Sequence, residues 1–129
     1  MECVGKVAAD FSSFPLSVEG TGCFPNPRRP RILWVGVGQG LQEMVALHDA
    51  LEDPLFELGC YRRENRPYTP HITLGRTRTE QPIHELSAAL TKYQSFKAGE
   101  TVIGEVQVMS SQLTPAGPVY TILSRAKLH

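Results

Sequence analysis

The stretch Arg66-Pro67-Tyr68-Thr69-Pro70-His71-Ile72-Thr73-Leu74-Gly75-Arg76 is the part of the sequence best equipped for chemistry. Read as a strand, it sends His71 and Thr73 to one face and Ile72 and Leu74 to the other, because side chains alternate. One face is then apolar and suited to pack on a helix. The other offers an imidazole and a hydroxyl in register. Imidazole is the side chain best able to exchange protons near neutral pH, and a hydroxyl beside it can donate to a phosphate oxygen. The pair suits phosphoryl chemistry without a metal. Pro67 and Pro70 stiffen the approach and fix where the strand begins. A single H-x-T on a strand is also what a half-exposed structural histidine looks like, so spacing alone leaves both readings open.

The arginines extend the phosphate theme. Eight of the nine fall between Arg28 and Arg78 (Arg28, Arg29, Arg31, Arg62, Arg63, Arg66, Arg76 and Arg78), and no lysine does. A guanidinium presents a planar fork that matches phosphate, whereas an ammonium is a point charge. The stretch reads either as a phosphate-facing surface or as ordinary solvated loops. Thirteen basic residues balance thirteen acidic ones, so bulk charge alone recruits neither nucleic acid nor a membrane. With 41% apolar and 20% charged residues, the composition fits a globular domain and excludes disordered and collagen-like classes. No window approaches the roughly 18 apolar residues of a membrane span, and residues 1–6 lack the apolar run of a signal peptide. Cys3, Cys23 and Cys60 are odd in number and widely spaced. They suggest three reduced thiols in a cytoplasmic protein, not a zinc cluster or a disulfide framework.

The elements that must position these residues follow from periodicity. Residues 3–14 carry apolar side chains at helical spacing and predict an amphipathic helix ended by Pro15. Residues 16–24 and 31–37 read as strands around the stiff turn Pro25-Asn26-Pro27-Arg28-Arg29-Pro30. A helix follows over 41–52, interrupted by Pro54, with His48 on its apolar face. The H-x-T strand covers 71–76. A helix over 82–94 starts near Pro82. Strands over 102–110 and 118–127 form an antiparallel hairpin about Thr114-Pro115-Ala116-Gly117. The order predicts an α+β fold in one domain over residues 1–129, a largely antiparallel sheet with helices packed on one face.

Taken together, these segments resemble the RNA 2′,3′-cyclic phosphodiesterases, also called 2′-5′ RNA ligases, of the two-histidine phosphoesterase superfamily. Residues 24–37 are similar to that family's central hairpin. Residues 66–76 are similar to its second H-x-T-x strand. Residues 106–111, Leu113, Gly117-Pro118 and Val119-Tyr120 are similar to its C-terminal hairpin. The resemblance implies a bilobal α+β fold around a cleft, each lobe supplying one H-x-T-x strand. It implies hydrolysis of cyclic phosphate ends to 2′-phosphates, one histidine acting as base on water and the other as acid on the leaving 3′ oxygen. No metal or nucleotide cofactor is implied. His71 would be the second catalytic histidine, Thr73 its phosphate-binding partner and Arg76 a further phosphate contact. Strict alternation puts Arg76 opposite His71, unless Gly75 marks a bulge or the strand's end. Tyr120 would stack on a base, and Tyr68 would line the entrance.

One departure matters. The family carries two H-x-T-x motifs and this sequence has one, since His48, His84 and His129 are not followed by x-Thr. The chain therefore resembles the C-terminal two-thirds of a family member. Loss of one acid–base group typically costs about 10²–10⁴ in rate. Three explanations stay open: a fragment, two copies pairing so that two His71 side chains share a cleft, or a module that binds RNA ends or cyclic-phosphate nucleotides without turning them over.

Overall fold

Hydrogen-bonding demands and a few punctuating residues set the elements. A computed structural model describes residues 2–59, 67–79 and 81–129. Cys60, Arg62, Arg63 and Arg66 lie outside the described residues. The elements are α1 (Glu2–Ala9), β1 (Phe14–Phe24), β2 (Ile32–Val37), α2 (Leu41–Glu57), β3 (Ile72–Arg76), α3 (His84–Lys92), β4 (Lys97–Ile103), β5 (Glu105–Thr114) and β6 (Gly117–Lys127). The fold is α+β, as the periodicity predicts. The chain divides into two compact units. The first comprises Met1–Phe14, Ala46–Arg66 and Val102–His129, and the second comprises Pro15–Val45 and Pro67–Thr101.

In the second unit, four strands form one sheet in the order β3-β2-β1-β4. β2 runs antiparallel to both β1 and β3. Leu16 and Val35 are buried. The hydroxyl of Thr21 on β1 donates to the Leu90 carbonyl of α3 at 3.0 Å, which ties the helix to the sheet. Gly40 has φ +88°, and a Cβ there would meet the Pro15 carbonyl, so the turn into α2 requires glycine.

The first unit is built on the β5–β6 hairpin, a separate two-stranded sheet. α1 packs against it, burying Val4 and Ala8, and Phe14, Leu47 and Leu128 are buried in the same unit. The C-terminus is tied down: the His129 N–H donates to the Phe11 carbonyl, and the Ser13 N–H to the His129 carbonyl.

Four expectations change. The first helix ends at Ala9, and Pro15 lies in β1 instead of stopping a helix. Its place beside the strand's first residue is where a missing N–H is tolerated. α2 runs through Pro54 to Glu57; the proline removes one backbone donor, and the next turn is closed by the Leu58 N–H donating to the Pro54 carbonyl. α3 is shorter than 82–94, with Ile83 at its N-cap. β4 is an additional strand. Its seven residues are almost all exposed, so no apolar alternation marks it. Pairing with β1 alone makes it a strand.

Candidate functional site

β3 lies at the edge of the four-stranded sheet. Its register on β2 pairs Val35 with Ile72, Trp34 with Thr73, Leu33 with Gly75 and Ile32 with Arg76. Leu74 is the extra residue, a bulge next to Gly75. Cross-strand partners share a face, and Trp34 and Ile32 are two residues apart. Arg76 is therefore on the same face as Thr73, the reverse of strict alternation. The bulge supplies the one-residue slip that flips every later side chain.

β1 adds to this face. Its register pairs Gly22 with Trp34 and Phe24 with Ile32. The His71 imidazole stands edge-on to the Phe24 ring, with centroids 5.1 Å apart, and 5.9 Å from the Trp34 ring. Phe24 and Trp34 are themselves 5.4 Å apart. The indole lies against Gly22, where any Cβ would overlap its six-membered ring. The indole Nε1 is buried with no hydrogen-bond partner among the described residues. Phe24 and Trp34 flank the proline-rich turn in sequence. No local pattern marks them as neighbours of His71, because only the registers of β1 and β3 on β2 bring them there.

The Nδ1 of His71 lies 2.6 Å from the Thr69 carbonyl oxygen. A carbonyl only accepts, so Nδ1 carries a proton and donates. In the neutral ring, Nε2 is then the atom with the free lone pair. The two aromatic contacts and this bond fix the ring, while His71, Thr73 and Arg76 remain exposed. The arrangement can exchange a proton at Nε2 and offer a hydroxyl and a guanidinium to an anion on one face.

Tyr68 is half-buried, and burial pushes its phenol above the ordinary value, so it stays protonated at neutral pH. Tyr120 belongs to the first unit, opposite Ser111 in the β5–β6 register, and 62% of it is exposed. The structure brings His71, Thr73 and Arg76 together. Tyr120 lies in the other unit.

The apolar side of β3 differs from expectation. Ile72 is 54% and Leu74 66% exposed. Leu74 lines an open apolar groove of about 310 Å³ with Leu33, Leu86, Leu90, Tyr93 and Phe96. α3 spans only nine residues, and the bulge re-aims Leu74, so the helix does not seal this side.

Of the other histidines, His48 meets the Asp49 carboxylate at 3.1 Å. With Glu52 these side chains form a metal-type group within 4.8 Å on one turn of α2. His84 opens α3. Cys3 and Cys23 are free thiols. No helix among the described residues is long and apolar enough to cross a membrane.

His71, Thr73 and Arg76 thus stand at an edge strand of an α+β fold, and comparison with known proteins names the family. Residues 1–114 match the 2′-5′ RNA ligase superfamily, and the chain belongs to that superfamily. Curated proteins named RNA 2′,3′-cyclic phosphodiesterase are similar to it. The one from Archaeoglobus fulgidus is 36% identical over 110 residues, covering 85% of this chain and 60% of its own length. The one from Methanothermobacter thermautotrophicus is 34% identical over 111 residues, covering 86% and 59%. The chain thus spans about 60% of the length of these curated relatives. Among solved structures, TT0787 of Thermus thermophilus superposes with a TM-score of 0.77 at 26% identity, covering 98% of this chain and 67% of its own. Escherichia coli LigT shares the fold, with a TM-score of 0.70 at 23% identity, over 98% and 65%.

Proposed function

We propose that this protein is a metal-independent phosphodiesterase acting on RNA ends or small nucleotides that carry a 2′,3′-cyclic phosphate. The observation that carries the reading is the exposed His71 imidazole, with Nδ1 engaged by Thr69 and Nε2 free, on the same sheet face as Thr73 and Arg76. The names of the curated relatives support the substrate class. In the reaction, water attacks phosphorus, the bond from phosphorus to the 3′ oxygen breaks, and a 2′-phosphate and a free 3′ hydroxyl remain. His71 exchanges one of the two protons that this needs, through Nε2. Thr73 and Arg76 hold the phosphate oxygens, and Tyr68 lines the entrance. The reading needs neither a metal nor a nucleotide cofactor, and it assigns the protein to the cytoplasm, where Cys3 and Cys23 would stay reduced.

The test is release of the 2′-phosphate product from a mononucleoside 2′,3′-cyclic phosphate by wild type and His71→Ala, with circular dichroism to confirm folding. The variant is expected to lose at least about 10²-fold in rate. Equal rates would remove His71 from the mechanism.

Two further arms separate related readings. The β5–β6 hairpin exposes Met109, Leu113, Tyr120, Ile122 and Leu123, which favours association of two copies. Specific activity should then fall on dilution below the dimer's dissociation constant, and a concentration-independent value in a monomer excludes that form. Saturable, salt-sensitive binding of phosphate-ended RNA by a wild type that yields no product would identify a binding module instead.

A further inference from the structure

Four of the described arginines not used above, Arg28, Arg29, Arg31 and Arg78, collect at one end of the four-stranded sheet. β1 ends at Phe24, β2 begins at Ile32, and Arg76 closes β3 opposite Ile32. The turn carrying Arg28, Arg29 and Arg31 therefore sits at the same end as Arg76 and Arg78. Hydrogen bonds hold it there. The Thr77 N–H donates to the Arg31 carbonyl at 2.8 Å, and the Thr77 hydroxyl to the Pro30 carbonyl at 3.2 Å. From α3, the Ser87 hydroxyl donates to the Pro27 carbonyl at 2.5 Å. Within the turn, the Asn26 side-chain oxygen accepts the backbone N–H groups of Arg28 and Arg29 at 3.0 and 3.1 Å. The turn is thus braced from two elements and closed on itself, while the side chains of Arg28, Arg29, Arg31, Arg76 and Arg78 are exposed. Residues 20–42 and 67–79, the strands and turn of this end, contain no Asp or Glu, and α3, which braces the turn, carries the single acidic residue Glu85.

Such a cluster is a site for more than one anion. Arginine without lysine favours phosphate, which a guanidinium can grip through two parallel N–H bonds. The cluster also continues the line of β3. Arg76 closes β3 and completes the phosphate contact, while Arg28, Arg29 and Arg31 lie beyond it on the turn between β1 and β2. A polynucleotide that presents its end to His71 can follow β3 onto this turn, and a mononucleotide has no further phosphate to place there.

We propose that this arginine end is a docking surface for the backbone phosphates of single-stranded RNA, upstream of the terminal phosphate presented to His71. The inference rests on the reading above for which RNA end meets His71, and it adds the surface that distinguishes an RNA strand from a mononucleotide. Arg28 and Arg29 carry the contact farthest from β3. Their geometry does not depend on their own side chains, because the turn is closed through backbone groups.

The test compares wild type with Arg28→Ala/Arg29→Ala in fluorescence anisotropy over a potassium chloride series. The ligands are a labelled single-stranded oligoribonucleotide ending in a 2′,3′-cyclic phosphate and, by competition, a mononucleoside 2′,3′-cyclic phosphate. Each lost phosphate contact on a single strand lowers the slope of log affinity against log salt by about 0.7. The double variant should therefore lower the slope by about 1.4 and weaken the oligonucleotide about tenfold or more, while mononucleotide binding changes less than twofold. Arg28→Lys/Arg29→Lys should restore the slope. An unchanged oligonucleotide slope, or an equal loss for both ligands, would overturn the proposal. So would a variant whose only defect is in binding an acidic peptide used as a control. Binding is read without turnover, so a failure of the catalytic reading shows separately as a wild type that binds with this slope and forms no 2′-phosphate.

Discussion

Each unit contains a bulged antiparallel pair, and the bulge in β3 and the bulge in β6 do opposite things. In the second unit the extra residue is Leu74, and the slip brings Arg76 onto the face of Thr73, where Phe24 and Trp34 hold the His71 ring. In the first unit the extra residue is Leu123, inserted between the pairs Val108–Ser124 and Met109–Ile122. That slip presents another apolar side chain, 63% exposed, on a ribbon where Leu113 is 85% exposed. The same backbone device gathers polar chemistry on one sheet and leaves an apolar surface on the other. A bulge re-aims whatever residue the sequence puts there, so its consequence is read from the neighbours that it brings into register.

The largest expected effect tests the first bulge. Arg76→Ala should raise KM for a cyclic-phosphate nucleotide about 10–100-fold, the scale of a hydrogen bond to a charged group. Deleting Leu74 should leave that KM near its wild-type value in a folded protein, because the regular pairs Leu33–Gly75 and Ile32–Arg76 keep Arg76 on the face of Thr73. Deleting both Leu74 and Gly75 should instead turn Arg76 away and raise KM as Arg76→Ala does. A folded double-deletion variant with wild-type KM would break the link between the register and the phosphate contact.

Gly22→Ala comes next. The added methyl must displace the Trp34 ring, an overpacking cost of about 1–3 kcal/mol, measurable by urea unfolding. Through Trp34 it should also loosen His71. In ¹⁵N-correlated spectra of the neutral ring, wild type should show the tautomer with its proton on Nδ1 and the variant a mixture. An unchanged tautomer would leave the Thr69 carbonyl as the sole determinant of ring orientation.

On the ribbon, Leu123→Thr should reduce self-association in sedimentation velocity by several-fold and leave thermal stability within about 0.5 kcal/mol, as for an exposed position. Association unchanged in that variant would show that this face is not the sticky one.

The smallest effect belongs to Glu105. The amide of Gln107 donates to its carboxylate at 2.6 Å, and Arg125 approaches at 2.9 Å. The Gln107 bond, followed by the nearby positive charges, holds its pKa below the ordinary carboxylate value. A depressed folded-state pKa contributes stability above the unfolded value, near 4.3 for Glu, and loses it as pH falls through the folded value. A Glu105→Gln variant should melt slightly earlier than wild type at pH 6 and together with it at pH 2. A gap that persists at pH 2 would assign the difference to something other than the charge.

Legibility in the sequence followed the range of the interaction. His71 and Thr73 were identifiable because their spacing is local, and the β5–β6 hairpin because Pro115-Ala116-Gly117 is a turn signal between two apolar runs. β4 was not, since Lys97-Ala98-Gly99-Glu100 has no periodic face and becomes a strand by pairing. The expectation that Ile72 and Leu74 would be covered failed for a related reason: an apolar face states a need for burial and not the length of the helix that meets it.

By itself, then, the sequence determined the α+β class and the shared direction of His71 and Thr73, both set by periods of two and 3.6 residues, and the family likeness, carried by the residues of the matching segments. Only the tertiary structure decided that Arg76 joins them, that Phe24 and Trp34 brace the imidazole, and that Arg28, Arg29 and Arg31 stand at the end where β3 finishes. Those relations depend on which residue of β2 faces which residue of β1 and β3. Register is a non-local property that a one-residue bulge can reverse.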